Sequence, residues 1–153
     1  LITIVPFTQD YAVAFKALNQ WWIEEYFTME TLDHKALDNP QNYILDKGGH
    51  ILVALDDTEA VGVCALIKSG QEGYDFELSK MGVDPNTHGK GIGFALGKAI
   101  IAKARVENAK SIYLESNTVL KPALNLYRKL GFKEITGFPS PYSRSNIQME
   151  LVL

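Results

Sequence analysis

Cysteine is almost missing: Cys64 is the single one in 153 residues, so no disulfide within the chain can hold the fold together. It lies in the apolar run Val61–Ile67 and reads as a buried strand residue, since a nucleophilic thiol needs a polar, partly exposed setting. Histidine is also scarce. His34, His50 and His88 are scattered, Glu115 and Glu134 have no partner at metal-ligand spacing, and no metal site is expected. An excess of one charge is lacking as well. A net charge of −3 gives no sign of a nucleic-acid or anionic-membrane surface, so neither partner is expected. No apolar run reaches membrane-spanning length, and no basic segment followed by an apolar one opens the sequence, which makes a cytoplasmic location the expectation. The first residue is Leu1 rather than methionine, so the natural start is expected upstream.

What is present is a globular composition, 46% hydrophobic and 22% charged. A chain of 153 residues fits one domain, expected over 1–153, which buries roughly two-thirds of its extended surface. Leu1–Val5 reads as a first strand, and residues 11–26 as a helix with Asp10 as its N-cap. Thr31–Leu37 reads as a second helix, stopped by Asn39-Pro40. These two helices, with aromatic residues between them, suggest a lid or wall more than a core. Ile51–Leu55 and Ala60–Ile67 form a hairpin pattern that continues as a meander into Asp75–Val83. The period then changes. Ile92, Leu96, Ala99, Ile100 and Val106 mark a helix, Ser111–Glu115 a strand, and Leu124, Tyr127 and Leu130 another helix with Pro122 in its first turn and Gly131 just past its end. Asn146–Leu153 reads as a last strand. The pattern predicts a mixed α/β fold with an antiparallel first half and a central parallel pair joined by a right-handed crossover, flanked by helices.

The most informative segment is Val83-Asp84-Pro85-Asn86-Thr87-His88-Gly89-Lys90-Gly91-Ile92-Gly93, which joins a strand to a helix through a turn with few side chains. Such a turn leaves backbone N–H groups free for a phosphate or pyrophosphate, and the following helix adds its own unpaired N–H groups and positive dipole end. An ordinary glycine-rich turn has the same composition. The spacing G-x-G-x-G is neither a dinucleotide fingerprint nor a Walker loop. Lys90 and His88 could add charge near an anion, though a solvated lysine in a turn is equally ordinary.

His88-Gly89-Lys90-Gly91-Ile92-Gly93 resembles the acetyl-coenzyme A loop of the GCN5-related N-acetyltransferases, Arg/Gln-x-x-Gly-x-Gly/Ala, and departs from it at His88. The resemblance extends to Glu77–Pro85 as the fourth strand, to Ile112–Asn117 as the fifth, and to Ala123–Phe132 as the helix that ends the cofactor site. It is strong over 50–130 and looser over the first helices and last strand. It implies acetyl-CoA as acetyl donor. Backbone groups at Met81, Gly82 and Val83 would hold the pantetheine arm, and those of His88, Gly89, Lys90, Gly91, Ile92 and Gly93 the pyrophosphate. Asn117 would contact the cofactor arm, and Tyr127 would stand beside its sulfur.

The chemistry asks for such residues. An alkylammonium of pKa about 10.4 is only about one part in 2,500 neutral at pH 7, a handicap of roughly 4.6 kcal/mol before attack. Glu77, expected to share a strand face with Ser79 and Met81, could take the proton through a water, and reads equally as an acceptor anchor or a solvated strand residue. Tyr127 could protonate the leaving thiolate, or serve as core packing. Trp21, Trp22, Tyr26 and Phe27 could wall an acceptor pocket, and Arg144, in the loop before the last strand, could pair with a substrate carboxylate. The expected activity is direct acetyl transfer in a ternary complex to a primary amine of a small or amino-acid-like molecule. The alternatives are acetylation of a peptide or protein amine, and a non-catalytic acyl-CoA-binding module. A homodimer is left open.

Overall fold

Residues 61–66 are buried without alternation because both faces of the sheet are covered there. The computed structural model describes residues 1–87 and 89–153. The chain runs β1 (Ile2–Pro6), α1 (Ala12–Tyr26), α2 (Thr31–Asp38), β2 (His50–Asp56), β3 (Glu59–Lys68), β4 (Phe76–Val83), α3 (Ile92–Val106), β5 (Ser111–Ser116), α4 (Lys121–Leu130), β6 (Lys133–Ile135) and β7 (Ile147–Val152). The strands form one sheet in the order β1-β2-β3-β4-β5-β7-β6, antiparallel except for the parallel pair β4–β5 that α3 connects. This is the mixed α/β architecture that the sequence predicts. β6, which the sequence reading did not separate from the loops, is a three-residue strand added at the edge of β7.

Cys64 and Leu66 of β3 face a core shared with Ile92, Leu96 and Ile100 of α3 and Leu124 and Tyr127 of α4. Val63 and Ala65 face the other way, onto Phe15 and Ile23 of α1 and Ala36 and Leu37 of α2. The first two helices are therefore more than the expected lid or wall. Phe15, Ile23 and Leu37 are fully buried, each a burial of roughly 1.5–3 kcal/mol. They cover the second face of the sheet because their apolar residues recur at helical spacing, which the aromatic residues around them obscured. Asp10 does not cap α1: a 3-10 turn over Gln9–Tyr11 precedes the helix, and Tyr11 holds the N-cap position without a side-chain bond. Gly82 lets α1 cross close to β4, since a Cβ there would lie 2.8 Å from the Leu18 carbonyl oxygen. Among the described residues, no helix is long and apolar enough to cross a membrane.

Candidate active site

β4 and β5 pair over only two positions, Phe76↔Ile112 and Glu77↔Tyr113, and then separate. The gap between them opens into a cleft of about 460 Å³. A bulge in β4 goes with the separation. Ser79 pairs with Ala65 and Gly82 with Val63, so Lys80 and Met81 together oppose Cys64, and Lys80 sits at a φ of 51°. The extra residue reverses the side-chain alternation. Lys80 reaches Asp33 of α2, while Met81 packs into the core under α3. This corrects the expectation that Glu77 and Met81 share a face: a strand of simple period two would place them together, and the bulge separates them. Beyond the bulge, Asp84 N–H donates to the Val61 carbonyl at 2.8 Å, so Asp84 turns toward β3. By alternation the backbone groups of Val83 and Met81 turn toward the gap and those of Gly82 toward β3.

One end of the cleft is closed by the glycine turn. Asp84 shapes it, accepting from Asn86 N–H at 2.9 Å through its side chain and from Thr87 Oγ at 2.7 Å through its carbonyl. Gly91 occupies the α3 N-cap position at φ 71°, a left-handed conformation that glycine adopts without penalty, and offers no side chain to the helix. The first N–H groups of α3, at Ile92, Gly93 and Phe94, precede the first intrahelical bond, from Ala95 N–H to the Gly91 carbonyl at 3.0 Å. All three residues line the cleft with Gly89 and Gly91. A Cβ added at Gly89 or Gly91 would meet no protein atom within 4 Å, so the turn faces open space of the kind a pyrophosphate needs. His88 lies outside the described residues. The Lys90 ammonium stands 3.6 Å from Asp56, half-exposed and off the cleft.

The opposite wall is built from side chains far apart in sequence. Asp33, fully buried in the first turn of α2, accepts four hydrogen bonds. Lys80 Nζ at 2.7 Å and Arg144 Nη2 at 2.6 Å reach one oxygen; Arg144 Nη1 at 2.6 Å and Glu30 N–H at 2.9 Å reach the other. That fills the carboxylate's capacity. Burial pushes its pKa up, but the Arg144 hydrogen bonds and the Lys80 charge outweigh burial and hold it well below the usual carboxylate range. Lys80 also donates to the Tyr142 hydroxyl at 2.9 Å, and the Arg144 guanidinium lies 4.5 Å from the Tyr142 ring centre and 5.6 Å from that of Trp22. The Arg144 fork is held bidentately by Asp33, with Glu30 Oε2 3.5 Å from Nη1, so a substrate carboxylate would meet a guanidinium already engaged within the protein. Trp22 is partly buried, its indole N–H bonded to Asn19, and Tyr26 is 54% exposed. Both line the cleft beside Trp21 and Phe27.

Glu77 stands on the cleft wall where β4 and β5 part. Burial, then the neighbouring Glu115 charge, push its pKa up to about 8, against a smaller opposing effect of Lys80. Glu115 accepts from Ser140 Oγ at 2.6 Å and from Tyr113 OH at 3.1 Å. Tyr127 of α4 lines the far side, held edge-on to Phe132, and burial keeps its phenol protonated well above neutral pH. Asn117 lines the cleft too, but its side chain is engaged within the protein, donating to the Arg144 carbonyl at 2.6 Å and accepting from Val119 N–H at 2.9 Å.

The structure thus gathers Trp22, Tyr26, Glu77, Met81, Gly82, Val83, Gly89, Gly91, Ile92, Gly93, Asn117, Tyr127 and Arg144 around one cleft. Sequence reasoning passed over Asp33, Lys80, Tyr142 and the role of Glu115. One local signal existed: Lys80 interrupts an apolar alternation, which in a central strand requires a buried partner.

The sequence profile of the acetyltransferase (GNAT) family matches residues 15–132. The N-acetylaspartate synthetase of Xenopus tropicalis is 36% identical over 98 residues, which make up 64% of this chain and 36% of that protein. The chain spans about a third of the length of the curated relatives of this kind. An acetyltransferase of the GNAT family from Staphylococcus aureus superposes with a TM-score of 0.85 at 23% identity, covering 98% of each chain. The protein yncA of Salmonella typhimurium, solved with its cofactor acetyl-CoA, superposes with a TM-score of 0.76 at 19% identity, covering 99% of this chain and 94% of that one.

Proposed function

The chain belongs to the acetyltransferase (GNAT) family, and from that premise we propose that it transfers an acetyl group from acetyl-CoA to the primary amine of a small, amino-acid-like acceptor by direct attack in a ternary complex. The observation that carries this reading is the gap between β4 and β5, which begins at Glu77↔Tyr113 and has unpaired backbone on one side and the N-terminus of α3 at its end. Met81 and Val83 offer backbone groups along the gap, where an extended amide-bearing arm pairs like an added strand. The N–H groups of Ile92, Gly93 and Phe94 and the dipole of α3 hold the pyrophosphate. When bound, acetyl-CoA supplies an activated thioester carbon.

The residues of the chain do the rest. Glu77 takes one proton from the acceptor ammonium, leaving the electron pair on nitrogen. That pair forms the N–C bond at the thioester carbon, and a backbone N–H near Val83 stabilises the negative charge that develops on the carbonyl oxygen. The C–S bond breaks with its electrons on sulfur, and Tyr127 gives the sulfur a proton. The nitrogen loses its second proton as the amide forms and the Tyr127 oxygen regains one, so the phenol is restored and the one net proton released is that taken by Glu77. Cys64 takes no part, because burial pushes its thiol far above the range in which it ionises. The N-acetylaspartate synthetases among the relatives, and the carboxylates of Glu77 and Glu115 lining the cleft where an ammonium would enter, support an acceptor of amino-acid type.

Coenzyme A release, followed with acetyl-CoA and a panel of amino acids, simple amines and short peptides, tests the reading. Turnover with amino acids is expected. Turnover on peptides alone would move the acceptor to a protein amine, and tight acetyl-CoA binding without turnover on any amine would make the chain a non-catalytic acyl-CoA-binding module.

A further inference from the structure

Two carboxylates on the acceptor side have no cation of their own. Lys80 and Arg144 are both committed to Asp33, and among the described residues no ion pair within 4.0 Å involves Glu77 or Glu115. The sheet places the two together. Glu77 is in register with Tyr113 on the neighbouring parallel strand, and Glu115, two residues further along, projects from the same face as Tyr113. Glu77 and Glu115 both line the cleft that opens where the strands part, and the Glu115 carboxylate accepts from the hydroxyl of Tyr113, the residue in register with Glu77.

The two are held differently. Both oxygens of Glu115 are engaged, one by Ser140 Oγ at 2.6 Å and the other by Tyr113 OH at 3.1 Å. Glu77 has no such donor among the described residues. Glu115, Lys80, Tyr113 and Tyr142 act on or feel the charge of Glu77, the same cleft is lined by Tyr26 from α1, Tyr127 from α4 and Arg144 from the loop before β7, and Asp33 from α2 stands behind Lys80 and Arg144. Asp33 and Glu30 pair with the two cations of this set, which leaves Lys80 only a smaller opposing effect on Glu77, and burial pushes the Tyr113, Tyr127 and Tyr142 phenols up, so these three are neutral near pH 7.

We infer that Glu77 and Glu115 work as one carboxylate pair sharing a single proton near neutral pH, with Glu115 the anchored, charged positioning residue and Glu77 the partner that takes the acceptor's proton. The inference rests on the proposed acetyl transfer for what the proton is used for, not for the pair itself. Like charges on one desolvated face resist ionising together, so the second ionisation is delayed. The pK of Glu77, raised to about 8 by burial and then by Glu115, agrees with this. The sign follows. Glu77 accepts a proton only when ionised, so activity should climb as pH rises toward about 8. Removing the Glu115 charge eases that ionisation and moves the climb to lower pH. Glu115 in a merely structural role would scale the whole profile without moving it.

Carboxyl carbon-13 NMR on glutamate-labelled wild-type protein, titrated from low to high pH, reads the pair without any substrate. Two resonances that respond to each other's titration step are expected, the later step near pH 8. In Glu115→Gln the Glu77 resonance should titrate in one step at lower pH, and the acid limb of kcat/KM should move with it. A half-unit displacement is about threefold in relative rate on that limb. Independent titration of both carboxyls in the ordinary range in the wild type would overturn the pair, even if Glu115→Gln fails to fold. An unmoved pH profile in an active Glu115→Gln enzyme would overturn it while leaving acetyl transfer intact. A coupled NMR titration with no amine acetylated would keep the shared proton and overturn its use in catalysis.

Discussion

The two walls of the cleft are made of different material. The wall formed by β4 and α3 presents backbone: the turned-out groups of Met81 and Val83 and the free N–H groups behind Gly91. The wall formed by α2, the β4 bulge and the loop before β7 presents side chains locked in a buried network around Asp33. A backbone wall binds a ligand whose chemistry never changes, so it tolerates exchange of most of its side chains. A side-chain wall sets charge and shape for a particular acceptor, and one lost partner strands a buried charge. Substitutions should therefore act on stability and acceptor chemistry on one side, and on donor affinity on the other.

The largest effect is expected at the centre of the side-chain wall. Asp33→Asn leaves Lys80 and Arg144 without their shared carboxylate and should destabilise the protein by about 3–5 kcal/mol in urea unfolding. Lys80→Met should cost less, because Asp33 keeps the Arg144 fork. Equal and small losses would show that the network contributes little to the wall.

A smaller effect belongs to the backbone wall. Gly91→Asp keeps a residue type that tolerates the left-handed conformation but sets a negative charge at the α3 N-cap. Acetyl-CoA affinity should fall at least about thirtyfold, or roughly 2 kcal/mol, by calorimetry, with a melting temperature near that of the wild type. Gly91→Asn, without the charge, should lose much less. If both variants bind alike, the turn does not face the pyrophosphate.

Tyr127→Phe sharpens the contrast from the far side of the cleft, since the ring still packs against Phe132 and only the proton donor is gone. Turnover should fall roughly tenfold to a hundredfold, about 1.4–2.7 kcal/mol, with acetyl-CoA affinity nearly unchanged. Full turnover in steady-state assays would reduce Tyr127 to packing.

The same division explains what could be read in the sequence. The backbone wall is local: Gly89, Gly91 and Gly93, the strand before them and the helix after them lie within one stretch, and their spacing carries the geometry. The side-chain wall joins Asp33 to Arg144 across 111 positions and to Lys80 across 47, and no spacing records such contacts. The bulge at Lys80 was invisible for a related reason, since it is visible only in register against β3 and reverses the face on which Met81 was expected. β6 was missed because three residues, Lys133–Ile135, are too few to show alternation before β7 pairs with them. Arg144 lines the cleft, but its buried partner, nearly three-quarters of the chain away, leaves no local sign in the sequence.

Residue-resolved amide hydrogen exchange, measured by NMR with and without acetyl-CoA, tests most directly whether the opened edge of β4 holds the donor. The account predicts that the Met81 and Val83 amides, which turn toward the gap, become strongly protected on binding, while the Gly82 amide, which turns toward β3, changes little. Saturating acetyl-CoA that leaves the exchange of Met81 and Val83 unchanged would contradict it.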